Sequence, residues 1–583
     1  INRSIFPYDV NGPQASFTRA AGGAAPAIYG ALKNQARNRQ GGLVFAAAMT
    51  DAEKTLARLG KVVRVGKSTF VRYIHIPEEI FDKYYNSYAN SVLWPAQHGM
   101  SHEFAQGPLS EMREEFAQGY KAANALFADA MRDMAGARGS GRVMVQDYHL
   151  YLLPAMLAQA KTPRGVTQQF VHIPWPEHIE SDIQGDQLEE LLRGMLGNDI
   201  IGFHTPEYVR NFMLTVERVL GVKADIEHGM IQYDGREIWV RAYPISIDAD
   251  LVEKGLRTPG ALAHMRRIQR LMNGRSLLLR VERTDPTKGI LEGFEAFRKM
   301  LRERPELRGK VVFYAILQPS REKNPAYGRL QKRIREQIRE INQEFSPLGW
   351  DGIIENEAEY RAFLEKTPDQ IPTVVAQMTG APNKEVLADM AVMNVGVVTP
   401  IRDGMNLVAK EMAIAADPKL RSELQAISAR TEAGKFPLGP GVLALSSTTG
   451  AHQELGKWVV SIKDPRDTKE VAGALYAALA ASKKGAAGAL HAALAASKEG
   501  WEENAMAAAG QVREHDLRAW IDLQQRDIQA RGPPAAKAWN WARAAQVLTA
   551  AATGAFLLIH IPQISSNVDF LLGLDGTTPE GMV

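Results

Sequence analysis

The chain has 583 residues, of which 45% are hydrophobic and 23% charged, and it carries a formal net charge of +3. At roughly 100–200 residues per domain, this length predicts two to four domains. The small charge gives no support for a nucleic-acid partner, and a sequence without cysteine excludes disulfides, thiolate nucleophiles and cysteine-ligated zinc.

The sequence shows no basic and apolar leader at its start. The longest late apolar run, 548–562, is shorter than the roughly 20 residues that a membrane-spanning helix requires. We therefore expect a cytoplasmic protein with no membrane partner.

Short apolar runs alternate along the chain with longer amphipathic stretches such as 324–345. Nearly continuous apolar runs are typical of strands that are covered on both faces. They predict strands at 142–146, 168–173, 199–204, 276–281, 310–317, 394–400, 441–446 and 458–462. This alternation indicates an α/β fold with parallel sheets and right-handed crossovers.

The segment 241–265 contains two prolines and interrupts the alternation, so it predicts a link between two doubly wound domains. We expect domains at 1–250 and 251–505 and a crossing helix at 506–532, and the tail 533–583 stays unassigned. Ligands of open parallel sheets bind at the carboxyl ends of the strands, so two such domains facing each other would form a cleft.

Three further motifs carry less weight. RVGKSTF at 64–70 resembles the end of a phosphate-binding P-loop, but Gly60 lies one residue too far from Gly66 and the residues between are strand-like. Asp248 and Asp250 form an Asp-x-Asp motif, which we interpret as a turn rather than a metal site. The repeat GALYAALAASKKG and GALHAALAASKEG, near 473–500, predicts an alanine-rich helical pair or a small insertion. No motif has metal-ligand spacing, and we expect no catalytic metal.

Two cations follow the predicted strand 276–281. Arg283 offers a rigid fork of donors and Lys288 a compact charge, and both would lie at the carboxyl edge of the second sheet, where a phosphate would bind. An exposed pair with no ligand is the alternative interpretation.

A second segment, 395–416, reads as a strand, a sharp turn and a helix that opens near Asn406. A helix start with a glycine before it presents backbone amides to an anion, and Glu411 on this helix could accept hydrogen bonds from sugar hydroxyls. The alternative role for Asp403, in the turn, is capping of this helix.

Polar residues also end two strands of the first domain: Asp147 in VQDYHL and His172 in FVHIPWP. Trp175 lies between two prolines after His172 and forms a rigid aromatic edge of the kind that lines sugar pockets. Tyr85 and Trp94 could serve as stacking surfaces or equally as core.

Taken together, these segments resemble the retaining glycosyltransferases of trehalose-6-phosphate synthase type, which adopt the glycosyltransferase-B fold of two Rossmann-like domains facing a cleft. The resemblance extends to about residue 525 and rests on AAGGAAPAIYGAL, YYNSYANSVLWPA, VQDYHL, HIPWP, IIGFHT, VERTDPTKGI, RDGMNLVAKE and PGVLALSS. It implies a first domain that binds the acceptor and a second that binds a nucleotide sugar.

The resemblance also implies roles for individual residues. Residues at the donor, a nucleoside diphosphate glucose, would be Gly22, Gly23, Arg283, Lys288, Asp403, Gly404, Met405, Asn406, Leu407, Val408 and Glu411. Residues at the acceptor, glucose 6-phosphate, would be Arg3, Tyr85, Trp94, Asp147 and Arg321. The catalytic set would be Asp147, His172, Arg283, Lys288 and Asp403. The implied product is trehalose 6-phosphate, formed without a cofactor, and the base of the donor is left open between uracil, guanine and adenine.

Two departures from the family pattern keep other acceptors open. The stretch 41–51 has no Trp where the family usually has one, and Thr284 and Pro286 stand where the family commonly has Leu and Tyr. Related glucosylglycerol-phosphate synthases and pseudo-glycosyltransferases that form a carbon–nitrogen bond are alternatives, and a non-catalytic sugar-nucleotide sensor is a third. Assembly as a homo-oligomer is left open.

Overall fold

The computed structural model describes residues 8–9, 16–17, 42–64, 69–104, 108–135, 142–159, 165–321, 324–430, 436–482 and 498–532. In chain order, strands β1 to β18 are Tyr8–Asp9, Ser16–Phe17, Gly42–Ala47, Val62–Arg64, Thr69–Ile74, Val143–Gln146, Thr167–Phe170, Ile200–Phe203, Ala224–Asp225, Met230–Tyr233, Arg236–Ala242, Ser276–Arg283, Val311–Gln318, Ile353–Ile354, Val374–Gln377, Val395–Val398, Val442–Ser446 and Val460–Ile462. All eight strands that the apolar runs predict are among them.

The α-helices are Asp51–Arg58, Glu78–Phe81, Trp94–His98, Leu109–Glu114, Ala122–Ala135, Leu153–Ala158, Gly185–Met195, Pro206–Leu220, Ala249–Leu256, Pro259–Met272, Ile290–Glu303, Pro325–Phe345, Glu357–Leu364, Asn383–Val392, Leu407–Ala416, Pro418–Ser428, Gly450–Leu455, Thr468–Ser482, Lys498–Glu514 and Leu517–Arg531. Two segments, Asp82–Leu93 and Glu115–Lys121, are wound with the wider π-helical spacing, as the bond from the Trp94 amide to the Ala89 carbonyl shows. No helix in the described part of the chain combines the length and hydropathy that crossing a membrane requires.

The first large sheet has the strand order β6-β7-β8-β11-β10-β9, and a smaller sheet has the order β3-β5-β4. Strands β6, β7, β8 and β11 are parallel, but β9, β10 and β11 form antiparallel pairs. The expectation of a wholly parallel sheet is therefore wrong here. The cause is the two-residue turn Asp234-Gly235, where both residues have positive φ (50° and 68°), a geometry that joins antiparallel strands tightly.

The second sheet has the order β14-β15-β13-β12-β16-β17-β18 and is parallel throughout. From β12 the chain first builds outward through β13, and it later returns to the other side of β12 with β16. The strand order therefore reverses between β12 and β16. In open α/β sheets this reversal opens a crevice at the carboxyl ends of the two strands, where ligands bind.

The link between the sheets is shorter than the predicted 241–265. Helix Pro259–Met272 already packs on the second sheet, because Met265 and Leu271 share a hydrophobic core with Leu277 and Val312 of its strands. The Asp248 carboxylate accepts a hydrogen bond from the Leu251 amide at 3.0 Å and so caps the next helix, which supports the interpretation of Asp-x-Asp as a turn.

The helix Leu517–Arg531 returns to the first sheet. Its Gln524 accepts a hydrogen bond from Gln168 at 3.0 Å, and Asp527 accepts one from the Tyr243 hydroxyl at 2.5 Å. At the crossing, the Leu517 amide donates to the Ile247 carbonyl of the link at 2.9 Å. The domain limits given above stay predictions. The P-loop-like residues 65–68, most of the alanine-rich repeat (483–497) and the tail from 533 lie outside the described residues.

Candidate functional site

The loop after β12 brings Lys288 into the crevice. Arg283 is the last residue of the strand, and Lys288 ends a short 3₁₀ turn, Pro286–Lys288. This turn is held by Asp285, whose carboxylate accepts bonds from the Thr287 amide (3.2 Å) and hydroxyl (3.0 Å). Gly289 then turns the chain with φ +59°, and a Cβ there would lie 2.3 Å from the Thr399 carbonyl oxygen, so glycine is required.

Lys288 forms the closest ionic contact at the reversal of strand order. Its Nζ lies 2.5 Å from Asp403 Oδ2, which also accepts a bond from Asn406 Nδ2 at 3.1 Å. Burial raises the pKa of the Asp403 carboxyl, but the Lys288 charge and these hydrogen bonds outweigh it and hold the pKa below its usual value. Burial lowers the pKa of Lys288, and the charges of Asp403 and Glu282 more than reverse that effect. Both groups are therefore charged at neutral pH.

The loop after β16 also carries a helix start. Helix Leu407–Ala416 begins after Asn406, whose Oδ1 accepts a bond from the Ala409 amide at 3.0 Å. Asn406 is thus the capping residue, and the alternative interpretation in which Asp403 caps the helix is wrong. Because the first amides of a helix have no intrahelical acceptor, this start can present N–H groups to an anion beside Lys288.

The same loop contacts the first domain. A Cβ added to Gly404 would lie 2.6 Å from the His172 carbonyl oxygen and 3.1 Å from the His204 ring. The Tyr208 hydroxyl donates to the Asp403 carbonyl at 3.0 Å. The two carboxyl edges therefore meet at Gly404, and only a residue without a side chain fits between them.

Two predicted residues lie together at the edge of the first sheet. The Asp147 carboxylate accepts a bond from the His172 amide at 3.1 Å, and its backbone has a positive φ of 70°. Burial raises the pKa of Asp147 to about 6. His172 Nε2 lies 2.9 Å from the Gln146 side-chain oxygen, which can only accept, so Nε2 carries the proton. Burial holds the pKa of His172 well below its usual value, and the ring is neutral.

A cluster of aromatic residues surrounds Arg321, which follows β13. The guanidinium lies over the Trp94 ring, 4.5 Å from its centroid, and donates to the hydroxyls of Tyr327 and Tyr148. Tyr85 stacks on His149 of the same region with centroids 5.4 Å apart. Arg321 adopts a positive φ of 46°. Aromatic faces and hydroxyls thus hold one largely buried guanidinium beside the loop that carries Asp285 and Lys288.

Sequence reasoning missed two carboxylates that connect these groups. Asp285 is fully buried, with Oδ2 3.4 Å from Arg283 and 3.8 Å from Arg321, so it connects these two guanidinium groups. Glu282 is buried 3.6 Å from Lys288. The sequence gives no clear signal for either residue, because the strand of Glu282 also holds the charged residues Arg280 and Arg283, and nothing in the sequence indicates that Asp285 faces Arg321.

The remaining predicted residues differ in position. Met405 is buried, and Leu407, Val408 and Glu411 are half-buried on the first turns of helix Leu407–Ala416. Arg283 keeps 48% of its side chain exposed at the mouth of the crevice. Arg3, Gly22 and Gly23 lie outside the described residues. Within the described ranges, no three His, Asp or Glu side chains are grouped as a metal site would need.

The chain is similar in sequence to known proteins over most of its length. The sequence model of glycosyltransferase family 20 matches residues 13–364 and 367–488. A bifunctional trehalose-6-phosphate synthase/phosphatase of Thermoproteus tenax is 32% identical over 411 residues, which are 70% of this chain and 49% of that protein. The UDP-forming alpha,alpha-trehalose-phosphate synthase 1 of Arabidopsis thaliana is 32% identical over 412 residues, 70% of this chain and 38% of that protein. The chain thus spans less than half the length of these two relatives.

Solved structures match over most of the chain. A UDP-forming alpha,alpha-trehalose-phosphate synthase of Burkholderia vietnamiensis has a TM-score of 0.68 at 27% identity, covering 88% of this chain and 98% of its own. One from Burkholderia xenovorans in complex with glucose-6-phosphate has a TM-score of 0.68 at 26% identity, covering 88% and 97%. An E. coli protein bound with UDP-2-fluoro glucose has a TM-score of 0.69 at 25% identity, covering 88% and 97%. These matches confirm the predicted glycosyltransferase-B architecture, two Rossmann-like domains facing a cleft.

Proposed function

The chain belongs to glycosyltransferase family 20, and from that premise we propose that it transfers glucose from a nucleoside diphosphate glucose to glucose 6-phosphate with retention of configuration, giving trehalose 6-phosphate. The observation that carries this proposal is that two cationic groups lie on neighbouring loops at the carboxyl edge of the second sheet, where it meets the first domain. Lys288 lies beside a helix start, and Arg321 lies 3.8 Å from Asp285 of the Lys288 loop and over Trp94 of the first domain. A diphosphate and a sugar phosphate are two anions of the kind that such a pair accommodates.

On the donor side, Lys288, Arg283 and the first amides of helix Leu407–Ala416 bind the diphosphate. Its charge grows as the bond to glucose breaks, so donors already fixed at that place lower the barrier without a metal. Asp403, Gly404 and Asn406 contact the transferred glucose and the diphosphate, and Met405 shapes the same loop. Leu407, Val408 and Glu411 lie along the nucleoside, with Glu411 on the ribose. The family resemblance also assigns Gly22 and Gly23, which are outside the described residues, to the diphosphate.

On the acceptor side, Arg321 binds the phosphate of glucose 6-phosphate, and Trp94 and Tyr85 complete the pocket. The family resemblance also assigns Arg3, which is outside the described residues, to the acceptor. Stacking on Trp94 and bonds to two tyrosine hydroxyls hold the guanidinium in one orientation, so little freedom is lost when the phosphate binds. Asp147 binds the acceptor close to the reacting hydroxyl. The neutral His172 ring contacts a hydroxyl of the donor glucose.

The reaction proceeds on one face of the sugar. The acceptor oxygen attacks the anomeric carbon from the side on which the diphosphate departs, and the departing diphosphate takes the proton of the acceptor hydroxyl. One carbon–oxygen bond breaks and one forms on the same face of the anomeric carbon, so the configuration is retained. No covalent sugar–enzyme intermediate is required. Contact between the domains at Gly404 excludes water from the place where transfer occurs.

A matrix of donors and acceptors tests the proposal. Purified protein is incubated with UDP-, GDP- or ADP-glucose and with glucose 6-phosphate or glycerol 3-phosphate, and the products are identified by mass spectrometry. We expect trehalose 6-phosphate with at least one donor and faster turnover of glucose 6-phosphate than of glycerol 3-phosphate. Binding of donor without any transfer would contradict the proposal and favour a sensor.

A second candidate has an observation in its favour. Pro286 replaces the family's common Tyr beside Asp285, and β3 and the residues after it lack the usual Trp. The missing Trp belongs to a loop that meets the acceptor in the family, and Asp285 lies 3.8 Å from Arg321, so a different acceptor is the alternative. The same matrix decides it: exclusive use of glycerol 3-phosphate indicates a glucosylglycerol-phosphate synthase, and transfer only to an added amino-cyclitol phosphate indicates carbon–nitrogen bond formation.

A further inference from the structure

Glu282 is the least satisfied charged group beside the proposed donor site. It is the penultimate residue of β12 and only 6% exposed. Its Oε2 lies 3.6 Å from Lys288 Nζ, beyond hydrogen-bond distance, and its Oε1 is buried with no hydrogen-bond partner among the described residues. A buried carboxylate in this state carries a large desolvation cost that its surroundings offset only in part.

Asp403 faces the same ammonium but, unlike Glu282, has close hydrogen-bond partners. It has a contact of 2.5 Å to Lys288 and a bond of 3.1 Å from Asn406. The other charged groups facing Glu282 are Arg280 and Arg283, besides Lys288 and Asp403. The buried Arg280 is directed elsewhere, since it donates to the Gly289 carbonyl at 3.0 Å and to the Thr399 hydroxyl. Burial raises the pKa of Glu282, and the cations offset this only partly.

Arrival of a diphosphate changes the local charge. Before binding, the Lys288 ammonium faces two carboxylates, and the donor brings two further negative charges to it. Repulsion between the diphosphate and the carboxylates is relieved at least cost by neutralising the one with the weakest partners, because it gives up no hydrogen bond. That carboxylate is Glu282, whereas neutralising Asp403 would weaken its contacts with both Lys288 and Asn406.

We propose that Glu282 takes up one proton from water when the nucleoside diphosphate glucose binds, and that this uptake releases Lys288 to the diphosphate. The inference rests on the proposed function, since it places the donor diphosphate at Lys288. No bond of the donor changes in this step; one O–H bond forms on Glu282, one O–H bond of a hydronium ion breaks, and the buffer acid replenishes that proton. Because the bound state holds more protons than the free state, donor affinity falls as pH rises through the titration of Glu282, by up to about tenfold per pH unit.

Isothermal titration calorimetry measures the number of protons taken up on donor binding. UDP-glucose is titrated into the wild type and into Glu282→Gln at one pH in buffers of different ionisation enthalpy, and the slope of heat against that enthalpy gives the protons taken up. We expect the wild type to take up about 0.5 to 1 proton more than Glu282→Gln at a pH between the titration points of free and bound Glu282. Comparing the difference between variants removes the contribution of other titrating groups such as Glu411. Titrations are carried out at pH 6, 7 and 8.

The exposed Glu303, on the helix after the Lys288 loop, supplies the control, and Glu303→Gln should match the wild type. An equal proton count for wild type and Glu282→Gln at all three pH values, with UDP-glucose still bound, would overturn the inference and leave the proposed function untouched. If UDP-, GDP- and ADP-glucose all fail to bind, the proposed function fails and this inference with it.

Two measurements keep the test decisive if Glu282→Gln does not fold. Glu282→Met replaces the buried acid by an apolar chain of similar volume, a change that buried charged groups often tolerate. Difference infrared spectra of the wild type with and without UDP-glucose should show a new carboxylic-acid C=O band that is missing in Glu282→Met. The absence of that band from the wild type, or its persistence in Glu282→Met, would also overturn the inference.

Discussion

At the scale of single residues, Lys288 carries the largest share of the proposed chemistry. It is buried with an ammonium that has exchangeable partners, Asp403 at 2.5 Å and Glu282 at 3.6 Å. Under the proposed function, the diphosphate takes the place of Glu282 beside the Lys288 ammonium. Arg283, in contrast, is half-exposed and has only Asp285 within 4 Å among the described acidic groups, so its role depends more on the ligand.

Replacing Lys288 by alanine should lower turnover by about 100- to 1,000-fold, the usual cost of removing one preorganised donor from a developing charge. Steady-state rates with a saturating donor measure this loss. Lys299→Ala is the matched control, because Lys299 lies on the next helix and pairs with Glu303 at 3.0 Å away from the crevice. A loss below tenfold, with the circular dichroism spectrum unchanged, would contradict the role of Lys288.

The burial of Glu411 leads to a prediction about how the free energy of unfolding depends on pH. Burial raises its pKa to about 7, whereas an unfolded glutamate titrates near about 4.3. Between these values the folded state binds more protons than the unfolded one, so the contribution of Glu411 to stability is present at low pH and is lost as pH rises through about 7.

In Glu411→Gln this loss should disappear. Relative to the wild type, the free energy of unfolding of the variant should therefore rise between pH 5 and pH 8, on the order of 1–2 kcal/mol because the half-exposed side chain is screened. Urea unfolding at both pH values measures the difference. Parallel pH profiles for the two proteins would show that the Glu411 carboxyl titrates as in the unfolded chain.

Part of the site could be predicted from residue patterns alone. Arg283, Lys288, Asp403 and Asp147 are polar residues that follow apolar strands, and strands in a parallel sheet end at one edge. The contacts that decide their state could not be predicted, because Lys288 meets Asp403, and Asp285 meets Arg321, only after the loops of separate strands pack together.

At the scale of elements, the start of helix Leu407–Ala416 combines two roles in one residue. The Asn406 oxygen caps the helix, and its amide nitrogen donates to Asp403 at 3.1 Å. One side chain thus fixes both the direction of the first helical amides and the carboxylate that faces Lys288.

Comparing two asparagine caps tests the two roles of Asn406 separately. Asn356 caps helix Glu357–Leu364 through a bond of 2.9 Å, close to the 3.0 Å of Asn406, but away from the crevice. Both Asn406→Ala and Asn356→Ala should lose about 0.5–2 kcal/mol of stability in thermal or urea unfolding. Only Asn406→Ala should also lose turnover, by about tenfold, since it removes one bond to Asp403. Equal activities of the two variants would contradict the second role.

Elements differ in how far sequence determines them. The buried parallel strands were predictable because their apolar runs are long and bounded by turn residues. The hairpin of β10 and β11 was missed although Asp234-Gly235 is a hairpin signal, because its strands mix polar and apolar residues. The π-helical segment Asp82–Leu93 has no local signal, since its wide turns depend on packing against Glu115–Lys121.

At the scale of the whole molecule, the two domains touch where transfer is proposed. Gly404 of the second domain lies against His172 of the first, and Asn324 donates to Ser91 across the cleft at 3.1 Å. Lys410, on the helix after Gly404, donates to the Ile245 carbonyl of the link at 2.8 Å. Helix Leu407–Ala416 and the loop before it therefore contact both the opposite domain and the segment that joins the domains.

Gly404→Ala should separate the two edges. Its methyl group would meet the His172 carbonyl at 2.6 Å, and backbone cannot yield as a flexible side chain does, so we expect turnover to fall at least tenfold, equivalent to about 1.4 kcal/mol. Gly473→Ala is the control, because that exposed helical glycine has open space around it. Unchanged turnover in Gly404→Ala would show that the observed contact is not needed for transfer.

The bond between Leu517 and Ile247 has a mechanical consequence. The chain passes between the domains at two places, and this bond fastens the two passages side by side. Because the two passages are held together, any relative rotation of the domains at this place would have to bend both passages at once. Cutting the chain near residue 516 would leave only one covalent connection between the domains.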